Sequence, residues 1–196
     1  MSEDNANSSR RRFLTGAVGV VGGVGAAYVA VPFLAYWNPS ARTRAAGAPV
    51  EVDTSTLQPG QKVNLTWRGQ PVWVIRRSEA ALDALAANND DLSDPASAVA
   101  SQQPAYAQNE HRSINPEFFV VVPICTHLGC IPSFMPQPGS LDANWPGGFF
   151  CPCHGSRFDN AGRVYAGVPA PTNLQVPPHR VADNGTIVVG EDPEVA

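Results

Sequence analysis

The sequence predicts an all-β domain carried behind a single apolar N-terminal helix, and three observations predict it. Nineteen prolines and seventeen glycines in 196 residues favour many turns and short strands over long soluble helices. The runs between these breakers are rich in Val, Ile, Trp and Thr, as in "KVNLTWRGQPVWVIRRS". One long charge-free apolar stretch stands apart near the start. Hydrophobic content of 43% and charged content of 15% argue against global disorder, and the length suits one compact domain plus an extension. The net charge of −4 conceals an asymmetry: five of thirteen basic residues precede Val50, leaving eight against fifteen acids from Glu51 onward. Such an acidic domain is a poor nucleic-acid binder and suits a basic protein partner.

Residues 1–12 end in Arg10, Arg11 and Arg12, and "FLTGAVGVVGGVGAAYVAVPFLAYW" then runs from Phe13 to Trp37 without a charge. At about 1.5 Å per residue this stretch crosses a hydrocarbon core roughly 30 Å thick. Tyr36 and Trp37 sit where an aromatic interface anchor belongs. A removable signal peptide is the alternative, because Gly25-Ala26-Ala27 offers a weak cleavage site. The apolar run continues ten residues beyond it, so a retained anchor over 13–37 is the expectation. Three arginines before the span put the N-terminus in the cytoplasm and the globular part in the periplasm. "SRRRFL" resembles a twin-arginine export signal with Arg10 and Arg11 as its pair; a generic basic flank is the plainer reading. Export of that kind implies a domain that crosses the membrane already folded.

Residues 38–50, "NPSARTRAAGAPV", read as a flexible linker. The β-rich pair that follows turns about Arg68-Gly69-Gln70 as a hairpin. Ser78 can cap a short helix through "EAALDALAA", and "NNDDLSDPASA" is a polar loop. "EFFVVVPI", Glu117 to Ile124, suits a buried strand. Asp183-Asn184-Gly185 divides two strand-like segments into a closing hairpin. The domain therefore spans 51–196.

All four cysteines lie in two boxes, "CTHLGC" at Cys125–Cys130 and "CPCHGS" at Cys151–Ser156, both read as loops. Two structural disulfides suit an oxidising periplasm but leave both box histidines unexplained. A zinc finger separates its ligands differently. One thiol and one imidazole from each box make an economical four-ligand metal site, with the remaining cysteines free to pair.

With twenty residues between them, the two boxes resemble those of the Rieske iron-sulfur family. The resemblance extends to "GVPAPTNL", Gly167 to Leu174, which is similar to the family's proline loop. It implies a Rieske-type antiparallel β-sandwich with a small cluster-binding subdomain over about 123–174. It also implies one 2Fe-2S cluster held by Cys125, His127, Cys151 and His154, and a disulfide between Cys130 and Cys153. Imidazole ligation leaves a cluster less negative than four thiolates would, and Rieske potentials span roughly −150 to +300 mV against about −400 mV for plant-type ferredoxins. His127 and His154 become the catalytic pair, since an imidazole bound to ferric iron can couple proton to electron. Ser156 is placed to donate toward sulfur, and Leu128 to shield the cluster or touch quinone, with a plain packing leucine as the alternative. Phe158 stands where many high-potential members carry tyrosine, which implies a lower potential.

Anchor, linker and domain together look like the Rieske subunit of a bacterial quinol:cytochrome c reductase. That subunit takes an electron from quinol and passes it to a membrane-bound c-type cytochrome. The resemblance implies an enzyme active only as part of a complex, dimeric, with cytochrome b and the c-type cytochrome as partners, in the bacterial inner membrane. Two other readings stand beside it: the small subunit of an arsenite-oxidase-like molybdoenzyme, and a zinc- or disulfide-stabilised binding domain. His111 and His179 lie in polar, turn-like settings and read as surface residues. Arg163 is expected to support a loop by hydrogen bonding; Tyr165 either packs on the cluster domain or donates a hydrogen bond, and neither spacing nor motif decides between them.

Overall fold

The computed structural model describes residues 3–87 and 89–193, which form two compact units, 1–45 and 46–196. The first is dominated by a helix, α1 (Glu3–Tyr36), which begins well before the charge-free stretch and continues through Pro32. It is long and apolar enough to cross a membrane, and Phe13, Val18, Val24 and Leu34 along it are exposed rather than packed. Within 38–50 the chain forms a short helix, α2 (Ala41–Ala46). Ser40 sets its start: its Oγ accepts from the Thr43 backbone N–H at 3.2 Å, the usual work of a capping serine.

Among the described residues, the second unit holds nine strands in three antiparallel sheets: β1 (Val50–Val52), β2 (Lys62–Trp67), β3 (Gln70–Arg76), β4 (Phe118–Val121), β5 (Ser133–Met135), β6 (Gly148–Phe150), β7 (Arg157–Phe158), β8 (His179–Val181) and β9 (Ile187–Val189). Their orders are β1-β9-β8, β2-β3-β4 and β5-β6-β7. The hairpin β2–β3 turns on two residues, Arg68 (φ 52°) and Gly69 (φ 74°), and Gln70 is already paired with Trp67. Both turn residues in the left-handed region match the twist of the flanking strands. Ser78 caps α3 (Glu79–Ala87) by accepting from the Ala81 N–H at 3.2 Å.

The sheet β2-β3-β4 is the middle layer, and its sequence says why. Successive side chains of a strand point to opposite faces. On β3 and β4, Val72, Val74 and Val120 pack with Val52, Ile187 and Val189 of the first sheet. Trp73, Ile75, Phe119 and Val121 face the other way, onto Phe149, Phe158, Cys125 and Cys151. A strand buried on both faces must be apolar throughout, which accounts for the unbroken run at Glu117–Ile124.

The two outlying histidines correct the sequence reading. His179 is 2% exposed: it lies on β8 beside Tyr106, edge to face at a centroid distance of 5.7 Å. His111 is half-buried, its Nδ1 has no partner, and its carbonyl accepts from Arg77 at 2.8 Å. Burial holds His179 below the ordinary histidine range, against the opposing pull of the Pro177 carbonyl and Asp192. A folded state that prefers neutral histidine binds fewer protons than the unfolded chain, so stability is lost as pH falls through about 6.5. Denaturation of the cluster-loaded full-length chain is therefore expected to show a steeper loss between pH 7.5 and 5.5 than the His179→Asn variant; identical slopes would refute it.

Candidate metal centre

The strand pairing assembles the centre. Box 1 leaves β4 and enters β5, box 2 joins β6 to β7, and the register Ser133↔Phe150 and Phe150↔Arg157 lays the two side by side. Each box is the same local loop. The Cys125 N–H donates to the Cys130 carbonyl at 2.7 Å, and Gly129 N–H to the Cys125 carbonyl at 2.9 Å. In the second, Cys151 N–H donates to the Ser156 carbonyl at 2.8 Å, and Gly155 N–H to the Cys151 carbonyl at 2.9 Å. The fifth residue of each is a glycine at positive φ, 84° and 77°, where a side chain would be strained. Cys-x-x-x-Gly occurs in both boxes, and this repeated spacing is the sequence signal that would have revealed the shared loop.

The loops bring Cys125 beside Cys151 and His127 beside His154. Cys125 and Cys151 are 2% and 1% exposed and unpaired, whereas Cys130 and Cys153 are joined as a disulfide. The His127 and His154 rings meet edge to face with centroids 4.7 Å apart. Burial pushes the Cys125 thiol up, while the His127 N–H and the Ser156 hydroxyl draw it back. His127 Nδ1 is buried without a partner, so one ring nitrogen faces inward toward nothing the protein itself supplies. Leu128 is 72% exposed and Ile131 55%, an apolar rim in and just after box 1, and His154 of box 2 is exposed as well.

The proline loop is tied to both boxes. Ala170 N–H donates to the buried Ser156 Oγ at 3.1 Å, and Thr126 Oγ1 donates to the Thr172 carbonyl at 2.7 Å. Beneath it, Asn173 Oδ1 accepts from Val164 N–H at 2.8 Å. Thr126 and Asn173 were not singled out by the sequence, since a lone polar residue in a loop carries no spacing signal. Arg163 is 1% exposed and does hold loops together: it pairs with Asp159 at 2.7 Å and donates to the Leu85 carbonyl at 2.7 Å. Tyr165 packs against Trp145 at 6.3 Å between ring centroids, its hydroxyl buried without a partner.

Two family models match this chain: the Rieske [2Fe-2S] domain over residues 48–178 and the ubiquitinol-cytochrome C reductase Fe-S subunit TAT signal over residues 1–40. The chain belongs to the Rieske iron-sulfur family. Among its relatives, the ubiquinol-cytochrome c reductase iron-sulfur subunit of Allochromatium vinosum is 55% identical over 98% of this chain and 93% of that protein. The corresponding subunit of Blastochloris viridis is 43% identical over 96% and 97%. A chain of a hyperthermophilic respiratory Complex III aligns over 91% of this chain and 98% of its own, with 28% identity and a TM-score of 0.49. None of these relatives supports the molybdoenzyme or zinc readings.

The residues present fit a Rieske 2Fe-2S cluster. Two soft thiols and two imidazoles would form its donor set, both sulfurs are kept from water, and the unpartnered Nδ1 of His127 is the atom a ligand role would satisfy. Phe158 is fully buried on β7, in the same apolar cluster as Cys125 and Cys151. A hydroxyl there that favoured the reduced state by about 1 kcal/mol would raise the midpoint by roughly 40 mV. Phe158→Tyr is expected to shift a redox titration upward by that order; an unchanged or lower midpoint would refute the assignment.

Proposed function

We propose that this chain is the electron-transferring subunit of a quinol:cytochrome c reductase, working beside cytochrome b and a membrane-bound c-type cytochrome in a dimeric complex. The observation that carries the reading is the paired Cys/His loop at an exposed, apolar-rimmed tip, supported by near full-length similarity to iron-sulfur subunits of that complex. Cys125, His127, Cys151 and His154 would hold the cluster, which supplies a one-electron acceptor of raised potential when bound. The chain does the rest. Burial of both sulfurs excludes water, and the Cys130–Cys153 bridge keeps the boxes together. The outer nitrogen of His127 or His154 accepts a hydrogen bond from the quinol hydroxyl and takes its proton as the electron leaves. Leu128 and Ile131 seat the apolar rim against the partner that binds quinol.

Residues 13–37 anchor the chain in a bacterial inner membrane with residues 1–12 in the cytoplasm. Arg10 and Arg11 direct export, and 51–196 works in the periplasm. Electron paramagnetic resonance of the reduced protein is expected to give the low average g-value of two-nitrogen ligation. A silent, zinc-loaded protein would sink the reading, as would purification without haem-bearing partners. Residues 38–50 let the domain move between quinol and cytochrome sites. Replacing them by a rigid proline run is expected to slow cytochrome reduction while sparing the cluster's spectrum; unchanged turnover would rule out the motion.

A further inference from the structure

Behind the two boxes lies a charge arrangement the mechanism has not used. Among the described residues, Arg77, Arg112 and Arg163 are buried at 4%, 0% and 1% exposure, and Asp159 is the one buried carboxylate. Arg163 Nε donates to Asp159 Oδ2 at 2.7 Å. The other two spend their donors on uncharged groups. Arg112 reaches the Ala161 carbonyl at 3.1 Å and Gln103 Oε1 at 2.9 Å, and Arg77 reaches the Pro116 carbonyl at 2.8 Å and Ser113 Oγ at 2.7 Å. Burial lowers Arg77 to about 9 and Arg112 to about 10, so both stay charged at neutral pH. Both also feel the charge of Asp159. Asp94, only part-buried, also acts on Arg112, so three buried cations face one buried anion and one part-buried one, and the interior stays positive.

That charge borders the apolar layer behind the centre: the Arg77 guanidinium lies 5.2 Å from the centroid of the Phe119 ring. Asp159 follows Ser156 by three residues, at most about 10 Å of chain, and the Ser156 hydroxyl acts on the Cys125 sulfur. The space between is filled by Phe119, Phe149, Phe158 and Leu174, all fully buried, which screen charge poorly compared with water. Gly162 touches both sides: a Cβ there would lie 3.2 Å from Leu174 and 3.3 Å from Arg112 Nη1. We propose that the buried Arg77, Arg112 and Arg163 set, incompletely neutralised by Asp159, tunes the redox centre by favouring its reduced state through the apolar layer. A centre that gains a negative charge on reduction is stabilised by a fixed positive interior. This supplies from behind part of the pull that Phe158, lacking a hydroxyl, does not supply from the side. The inference rests on the cluster assignment made above.

Fold support alone would also bury arginines, so the test turns on the sign of the effect. Redox titrations followed by electron paramagnetic resonance are run on the full chain in its complex for Arg112→Gln, Arg112→Lys and Asp159→Asn. Removing the positive charge is expected to lower the reduction equilibrium constant about threefold, roughly 30 mV at 59 mV per tenfold. Arg112→Lys restores it. Asp159→Asn, which keeps an oxygen for the Ala161 and Arg163 backbone donors, raises it by a similar factor. Midpoints that do not move, or that move the same way in the Arg112→Gln and Asp159→Asn proteins, would overturn the inference. Should Arg112→Gln fail to fold, the direction of the Asp159→Asn shift alone decides. A wild-type protein without the Rieske signal would instead sink the cluster assignment, so the two failures are distinguishable.

Discussion

Cys151→Ala is expected to empty the centre and stop electron transfer from quinol to cytochrome. Three of the four proposed donors remain in that variant, but the lost one is a sulfur only 1% exposed, in an apolar cluster that includes Phe149 and Phe158. The nearest other sulfurs, those of Cys130 and Cys153, lie within 4.8 Å but are spent in their disulfide, so no free thiolate replaces the lost one, and water enters a small apolar space unwillingly. Removing a partner that merely orients a ligand typically costs 10–100-fold, so loss of a ligand itself should lower iron content and quinol:cytochrome c turnover by more than about 100-fold. Iron analysis and electron paramagnetic resonance of the purified complex measure the first, and steady-state reduction of cytochrome the second. Circular dichroism should keep its β signature, because the sandwich of the first two sheets has its own core around Val72, Val74 and Ile187. Leu128→Ala is the contrasting variant: at 72% exposure it should spare iron content and affect only turnover. Iron retained at the wild-type level in Cys151→Ala would remove Cys151 from the ligand set.

The centre was far more legible in the sequence than the fold around it. Ligand spacing is local: Cys125 and His127, or Cys151 and His154, announce themselves within four residues, as do the turn at Arg68-Gly69 and the cap at Ser78. What escaped is what only pairing creates. The strand β1 is three residues, Val50–Val52, with no periodicity to read, and it becomes a strand by joining β9 some 140 residues later. The sheet β5-β6-β7 is built from segments of two and three residues inside a stretch crowded with Pro and Gly. Charged residues mislead in the same way. Arg77 and Arg112 look like surface residues because burying a guanidinium is costly, and the carbonyls that offset that cost come from loops distant in the chain. His179 was misplaced for the same reason, since Tyr106, which covers it, is 73 residues away.

Replacing both Cys130 and Cys153 by alanine is expected to cost stability on the order of 3 kcal/mol, and to loosen the cluster before the sandwich unfolds. The bridge spans 23 residues, and closing a loop of that size in the unfolded chain carries about that entropy in the chain-entropy model. In the folded state the same closure is already made by β5 pairing with β6, Ser133↔Phe150 through Met135↔Gly148. The disulfide therefore adds little contact to the native state and acts mainly by limiting the unfolded one. Its local effect is separate. Cys130 provides the carbonyl that closes box 1 on the Cys125 N–H, so freeing its side chain frees the loop that positions His127 and Cys125. Box 2 is closed instead by Ser156, held under the proline loop by Ala170, and should suffer less. For a chain of this size about 1 kcal/mol moves the melting temperature by roughly 2–4 °C, which puts the expected drop near 6–12 °C. Calorimetry of the full-length protein measures that drop, and bleaching of the cluster's visible absorption on heating should begin well below it. A melting temperature lowered by less than about 2 °C, with bleaching unchanged, would show that strand pairing alone holds the two boxes together.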